Sequence, residues 1–242
     1  MQHEIEFGVD ASSRSLEEIV KIINGFRRGK LVEIQFLDEP RQSAWFSRLN
    51  RLRQTLNLEA VPDETDFEEF DCITASWNHL LGGDLRNTQK HEQFFADMRN
   101  ALVGDDHKQF CHAVRNLFRL LGWDAEIREK QQGETDVIAM VSVDGKHYLL
   151  VVEGKPEMEN GKPMPLRYVN QANGQLTRYK SDSRFAKHEV AAIMVSKADI
   201  LEDSASPAAG NLTLVRQTAL LAAADIAIAA FQRYAAITAL NK

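Results

Sequence analysis

The sequence predicts an α/β protein in which a mixed sheet is flanked by helices. Two apolar runs, VIAMVSV and HYLLVV, are joined by Asp144-Gly145, which predicts an antiparallel hairpin with a tight type I′ turn. A third apolar run, EVAAIMVS from Glu189 to Ser196, has the length and composition of a buried strand and extends the same sheet. Amphipathic stretches on either side of these runs predict the flanking helices.

The first part of the chain predicts a smaller α+β module. Strand patterns at Glu4 to Val9 and at Leu31 to Leu37 enclose a helix that begins with the capping box Ser15-Leu-Glu-Glu. This β-α-β order differs from the pattern that follows it. We therefore assign residues 1–104 to a module for a protein partner or for regulation, and residues 105–242 to a second domain.

Helices are predicted on both sides of the proposed boundary. Asn87 to Val103 precedes the proposed boundary, and Lys108 to Leu121 is followed by Gly122, a typical residue after a helix end. Thr213 to Leu240 is long and rich in alanine, so that it suits either the core or the contact of a homodimer. Its apolar run is too short for a membrane span of ~20 residues.

Composition and charge restrict the functional class. The net charge is −6, but it is uneven: Met1 to Asp106 has 20 acidic and 12 basic residues, and the remainder has 15 and 17. The second part is mildly basic, and phosphate contacts are predicted for a cluster in it. The cluster contains Arg167, Arg178, Lys180 and Arg184.

Several classes are disfavoured by what the sequence lacks. The segment MQHEIEFGVD has no secretory signal pattern, so a cytoplasmic location is expected. The two cysteines, Cys72 and Cys111, form no CxxC motif, and both are expected to be reduced core residues. Without a glycine-rich nucleotide loop, any ATP-driven motor would have to be a partner.

The hairpin predicts a site with paired carboxylates. A tight turn returns Glu153, at the end of one strand, to the side of Asp136, at the start of the other. Lys155 follows Glu153 by two residues and therefore lies on the same face of the strand. Carboxylates are hard ligands that suit Mg²⁺ or Mn²⁺. A metal with a lysine beside it indicates phosphodiester hydrolysis.

These residues resemble a known superfamily. The pattern Asp136…Glu153-Gly154-Lys155 is similar to that of the PD-(D/E)xK nucleases, and Gln175-Leu-Thr-Arg-Tyr179 resembles the QxxxY motif of RecB-like nucleases and of type I restriction motor-subunit nuclease domains. The resemblance spans roughly Asp106 to Lys197. It implies a restriction-endonuclease-like fold and a Mg²⁺-dependent endodeoxyribonuclease, with Mn²⁺ able to substitute, acting on DNA in restriction, anti-phage defence or repair.

The resemblance also implies roles for individual residues. Asp136, Glu153 and the Gly154 carbonyl become metal ligands, and Lys155 becomes the catalytic lysine. Gln175 and Tyr179 lie one helical turn apart, where members of the superfamily position the metal-bound water or the DNA backbone. Gln171 is a rival for that role.

The chain departs from the superfamily pattern at the helix before the first catalytic strand. Many members have a glutamate there as a further metal ligand, whereas this chain has Phe110-Cys111-His112 and no glutamate between His107 and Asp124. Asp105 or Asp106 could substitute, and His107 or His112 is a weaker candidate. Thr135 occupies the position of the proline.

This departure keeps other functions open. One alternative is a catalytically inactive protein of nuclease fold that binds DNA or a partner. A ribonuclease is another, because the motifs do not distinguish DNA from RNA. A third is a structural interaction protein that binds neither metal nor nucleic acid.

Overall fold

The computed structural model describes residues 75–82, 88–128, 134–143, 146–198 and 200–240. Its strands are β1 (Asp124–Ile127), β2 (Val137–Val143), β3 (Lys146–Lys155), β4 (His188–Ser196) and β5 (Thr213–Arg216). Its longer helices are α1 (Thr88–Val103), α2 (His107–Leu120), α3 (Leu166–Ser181) and α4 (Gln217–Leu240). The strands form one five-stranded sheet. The predicted α/β class with a mixed sheet is therefore confirmed, whereas residues 1–74 and 83–87 of the predicted N-terminal module lie outside the described part.

The sheet is antiparallel in its first half and parallel in its second. Strands β1 to β5 lie side by side in chain order, with β1, β2 and β3 antiparallel and β3, β4 and β5 parallel. The predicted hairpin is formed by β2 and β3, and the predicted strand at 189–196 lies beside it as β4. The turn residues Asp144 and Gly145 lie outside the described residues.

Helix α2 follows the sequence prediction closely. Asp106 caps its beginning, since the Asp106 carboxylate accepts a hydrogen bond of 2.8 Å from the backbone N–H of Gln109. After its end, Gly122 has a φ of +80°, which a residue with a Cβ adopts only with strain. The apolar face of α2 packs on β1, β2 and β3.

Helix α4 begins later than predicted. Thr213–Arg216 pairs with β4 as strand β5, and the helix starts at Gln217. The prediction was wrong here because a four-residue apolar strand that runs directly into a helix has no turn residue to mark the change. Of the two predicted roles for α4, the structure shows a place in the core, because α4 packs on α1 and α2.

Aromatic side chains join these helices to one another. Phe231 of α4 contacts Trp77 and Phe95 edge to face, with ring centroids 5.3 and 5.4 Å apart. Trp77 also donates a 2.7 Å hydrogen bond to the carbonyl of Leu120 at the end of α2. Within the described residues, no helix combines the length and apolar content needed to cross a membrane.

Candidate active site

The register of the hairpin places the two residues that are predicted to be metal ligands next to each other. Val137 of β2 pairs with Val152 of β3, so that the next residues at this end of the hairpin are Asp136 and Glu153. The Asp136 carboxylate accepts a 2.6 Å hydrogen bond from the backbone N–H of Gly154. Thr135 donates a 2.7 Å hydrogen bond to the Val152 carbonyl and so fixes the segment that leads into β2.

Glu153 and Lys155 form a buried ion pair. Lys155 Nζ lies 2.6 Å from Glu153 Oε1, and the Gln171 amide of α3 donates to the same oxygen at 2.6 Å. Glu153 is 1% exposed, and its other oxygen, Oε2, is buried without a hydrogen-bond partner among the described residues. The Tyr168 ring contacts Lys155 Nζ, 4.9 Å from its centroid. Oε1 of Glu153 thus accepts two hydrogen bonds, whereas Oε2 accepts none from the described residues.

Burial and neighbouring charge change the proton affinity of this pair. Burial raises the pKa of the Glu153 carboxyl, and the charge of Asp136 raises that pKa further, while Lys155 opposes both. Burial alone would lower the pKa of Lys155, but the charge of Glu153 and the hydrogen bond to it outweigh burial and raise that pKa. Lys155 is therefore a protonated cation at neutral pH.

Gly154 lies where only a residue without a side chain fits. A Cβ at this position would come within 2.6 Å of Cε1 and 3.0 Å of Cδ1 of Phe110, a buried residue of α2. Side chains alternate between the two faces of a strand, so that Glu153 and Lys155 lie on the side of α3 and the Gly154 position faces α2. The close approach of α2 brings its first turns to the end of the hairpin.

The QxxxY pair contacts the residue two positions before Asp136. Gln175 donates to the backbone carbonyl of Glu134 at 3.0 Å, and Tyr179 OH lies 3.2 Å from the Glu134 carboxylate. Arg178 forms an ion pair of 2.5 Å with the same carboxylate. Burial, with the charge of Glu134, raises the pKa of Tyr179 to about 12. Gln175 and Tyr179 thus fix the position of Glu134, which lies just before β2.

The hydrogen-bond geometry places Gln171 rather than Gln175 on Glu153. Gln175 lies close enough for its amide to lower the pKa of the Glu153 carboxyl, but its donor is directed at Glu134. The Gln171 amide therefore donates to a predicted metal ligand, whereas the Gln175 amide donates to the backbone of Glu134.

Two side chains of α2 converge on Asp136 from the other side of the sheet. His107 Nε2 lies 3.3 Å from Asp136 Oδ1, and the Cys111 sulfur lies 3.8 Å from His107 Nδ1 and 3.9 Å from Nε2. One ligand atom from each of His107, Cys111 and Asp136 lies within 4.8 Å of the others. It is the one such group of three potential metal ligands among the described residues, and Glu153 is not a member of it.

The other predicted substitutes for the missing helix glutamate are engaged elsewhere. Asp106 caps α2, and Asp105 forms an ion pair with Lys197. His112 is exposed on α2. Of the four residues considered in the sequence, His107 alone reaches the carboxylate of Asp136.

The predicted phosphate-contacting residues are exposed, and three have partners within the chain. Arg167 stacks on Tyr168, Arg178 pairs with Glu134, and Arg184 pairs with Asp182 at 2.6 Å. Lys180 is exposed on α3, the helix that also provides Gln171. The structure therefore places all four on or next to α3, on the Lys155 side of the sheet.

Two site residues were missed or undervalued in the sequence. Cys111 is a buried core residue, as predicted, but the i, i+4 spacing of His107 and Cys111 would also have placed both on one face of a helix. Glu134 belonged to no recognised motif.

Comparison with protein-family models, with curated proteins and with solved structures finds no match. The resemblance to the PD-(D/E)xK nucleases therefore stays a prediction.

Proposed function

We propose that the chain is a metal-dependent deoxyribonuclease of the PD-(D/E)xK type, with a restriction-endonuclease-like arrangement of its mixed sheet. One observation carries the proposal: Asp136 and Glu153 adjoin at the buried end of the hairpin, with Lys155 in contact with Glu153. A buried carboxyl such as Glu153, whose pKa is raised by burial and by the charge of Asp136, is costly to fold, and functional sites are where such costs are commonly found.

The carboxylate pair fits a divalent cation. Glu153 Oε2 is buried without a hydrogen-bond partner in the described part of the chain, and the charge of Asp136 disfavours ionisation of Glu153. A cation between the two carboxylates would satisfy the oxygen and remove the repulsion. Asp136 and Glu153 would hold it, with the Gly154 carbonyl as a third ligand. Bound Mg²⁺ or Mn²⁺ supplies an acidic water and positive charge for a phosphate.

Lys155 acts in this proposal as a fixed positive charge. Its ammonium is held by Glu153 and by the face of Tyr168, and its raised pKa keeps it protonated. A protonated lysine cannot remove a proton from water, but it can stabilise the charge that develops on a phosphate oxygen. We therefore assign Lys155 to charge stabilisation and not to general-base chemistry.

Residues of α3 position this machinery. Gln171 fixes the rotamer of Glu153, and Gln175 and Tyr179 fix Glu134, two residues before Asp136. With its pKa at about 12, Tyr179 stays protonated and acts as a hydrogen-bond donor. The exposed cations on α3, Arg167 and Lys180 among them, would contribute contacts to a DNA backbone in this proposal, and their contribution would weaken as salt is raised.

Plasmid cleavage tests the proposal. Supercoiled DNA is incubated with the purified protein in Mg²⁺, in Mn²⁺ and in EDTA, beside Asp136→Ala and Lys155→Ala. We expect metal-dependent nicking or linearisation that both variants lose. Equal background in every lane would contradict the proposal. Matched single-stranded and duplex RNA substrates, tested under the same conditions, separate a deoxyribonuclease from a ribonuclease.

A second function is supported by the missing helix carboxylate. With His107 and Cys111 beside Asp136 in its place, the chain could retain a nuclease fold and bind DNA without cutting it. In that case the wild type and Asp136→Ala would bind duplex DNA with similar affinity, and neither would cleave it.

A further inference from the structure

Asp136 offers two oxygens, and they face different partners. Oδ2 accepts the hydrogen bond from the Gly154 N–H, whereas Oδ1 lies 3.3 Å from His107 Nε2. Cys111, one helical turn after His107, lies within 4 Å of both imidazole nitrogens. A nitrogen, a sulfur and an oxygen from three different residue types therefore converge at one point between α2 and the end of the hairpin.

The distances among these atoms are close to those of a tetrahedral metal site. Zinc-to-ligand bonds of about 2.0–2.3 Å at tetrahedral angles separate nitrogen and oxygen ligands by about 3.4 Å, and nitrogen and sulfur ligands by about 3.6 Å. The chain has 3.3 Å between His107 Nε2 and Asp136 Oδ1, and 3.9 Å between His107 Nε2 and the Cys111 sulfur. The Cys111 sulfur and an Asp136 carboxylate oxygen also lie within 4.8 Å of each other.

The ligand types select the metal. Mg²⁺ takes oxygen ligands and does not favour thiolate or imidazole. Thiolate, imidazole and carboxylate together suit zinc and its neighbours in the first transition series. We propose that His107, Cys111 and Asp136 bind a zinc-class ion, and that this ion occupies the position between α2 and the hairpin that a helix carboxylate would otherwise serve.

The surroundings suit such a site. The Gly154 N–H fixes the Asp136 carboxylate by its second oxygen, which is the type of outer hydrogen bond that orients a metal ligand. Cys111 is fully buried, and the His107 side chain is 39% exposed, so that an ion can enter along the imidazole. Three protein ligands leave a fourth tetrahedral position for water or for a substrate oxygen.

The metal site and the proposed nuclease function share Asp136 but are separable. A role for the ion in cleavage rests on the proposed function, whereas binding of the ion does not. Binding converts the Cys111 thiol to a thiolate, and the thiol proton passes to the buffer. No electron transfer is involved.

Cobalt is a suitable probe because a Co²⁺–thiolate bond produces a ligand-to-metal charge-transfer band that oxygen and nitrogen ligands do not. The full-length Cys72→Ser protein, in which Cys111 is the one remaining cysteine, is titrated with Co²⁺. We expect a charge-transfer band together with visible bands of tetrahedral intensity. Excess Zn²⁺ should abolish the spectrum, and excess Mg²⁺ should leave it unchanged.

Single variants in the same background assign the ligands. Cys111→Ser should lose the charge-transfer band, and His107→Gln should weaken Co²⁺ binding by at least tenfold. His112→Gln, an exposed histidine on the same helix, should bind Co²⁺ as the parent does. If Cys111→Ser does not fold, as circular dichroism would show, the partly exposed His107 decides the assignment by itself.

The outcomes separate the two proposals. A missing charge-transfer band in the parent protein, a band that survives Cys111→Ser, or displacement of Co²⁺ by Mg²⁺ would overturn the metal site. Glu153→Gln should keep the cobalt spectrum, because Glu153 lies outside the three-residue group, and should abolish plasmid cleavage. A protein with the full cobalt spectrum that never cleaves DNA would refute the nuclease function and leave the metal site intact.

Discussion

Strand β3 has ionisable side chains at both ends, and the two ends differ in burial. At its start, exposed His147 pairs with His188 of β4, with ring centroids 5.4 Å apart. At its end, Glu153 and Lys155 are buried at 2.6 Å from each other. Because water screens charges far better than protein does, neighbouring charges interact weakly at the exposed end and strongly at the buried end. Burial therefore decides which cluster can support chemistry.

The largest expected effect is on cleavage, at the buried end alone. Asp136→Asn keeps an oxygen that can accept from the Gly154 N–H but removes the charge, and we expect plasmid cleavage to fall by at least about 10³-fold. Asp124→Asn, an exposed carboxylate at the start of β1, and His147→Gln, at the other end of β3, are the matched controls. Wild-type initial rates in Asp136→Asn, with unchanged circular dichroism, would show that the buried end is structural.

Removing one partner of the buried pair should destabilise the fold. Lys155→Met leaves the Glu153 carboxylate beside Asp136 without its cation, and we expect the free energy of unfolding in urea to fall by about 3 kcal/mol. The double variant Glu153→Gln/Lys155→Met should recover most of this loss. Lys180→Met, at an exposed position of α3, should change the free energy by less than about 0.5 kcal/mol. If Lys155→Met and Lys180→Met lowered the free energy of unfolding equally, burial of the Glu153–Lys155 pair would have no energetic consequence.

The close approach of α2 to the buried end gives a third test. Gly154→Ala places a methyl group 2.6 Å from Cε1 of Phe110, which is packed in the core, and should cost about 1–3 kcal/mol in the free energy of unfolding. Gly174→Ala is the matched control, because a Cβ in this exposed position of α3 meets nothing within 4 Å. It should stabilise the protein by about 0.5–1 kcal/mol. If Gly154→Ala and Gly174→Ala shifted the melting temperature in the same direction, the close packing of Phe110 on Gly154 would be contradicted.

The smallest effect is expected at the exposed end. Burial, followed by the charge of His147, lowers the pKa of His188 below its ordinary value of 6.5. The folded protein then binds this proton less tightly than the unfolded chain does. The contribution to stability is complete above pH 6.5 and is lost as the pH falls through 6.5 towards the lower pKa of the folded state.

Proton NMR titration of the histidine rings measures this directly. His147→Gln should move the His188 pKa back towards 6.5, and His188→Gln should flatten the dependence of unfolding free energy on pH below that value. Neither variant should change plasmid cleavage. A His188 pKa above 6.5 in the wild type would contradict this prediction.

The parts of the fold that the sequence predicts are those defined by local signals. Asp144-Gly145 between two apolar runs was sufficient to predict the register that brings Asp136 and Glu153 together, because a one-residue slip would turn every buried side chain outward. The capping aspartate and the glycine after α2 marked its ends. Strand β5 had no such signal, because its pairing with β4 is a tertiary contact.

Contacts between site residues on the same strand could be predicted from the sequence, whereas contacts between site residues on a helix and those at the sheet could not. Glu153 and Lys155 share a strand, so their contact follows from the alternation of side chains. The approach of His107 and Cys111 to Asp136 depends on how α2 packs on the sheet, where Phe110 lies against Gly154. The different partners of Gln171 and Gln175 depend on the rotation of α3 about its axis, which the QxxxY spacing does not specify.

The pairing of β3 with β4 also bears on how the chain acquires its site during synthesis. The β2–β3 hairpin closes a short loop and can form early, whereas β4 joins β3 only after α3 has been made between them. Gln171 and Tyr168, which hold Glu153 and Lys155, belong to that intervening helix. A nascent chain that ends before α3 can therefore bring the two carboxylates together but cannot hold the lysine and the glutamate in their final arrangement.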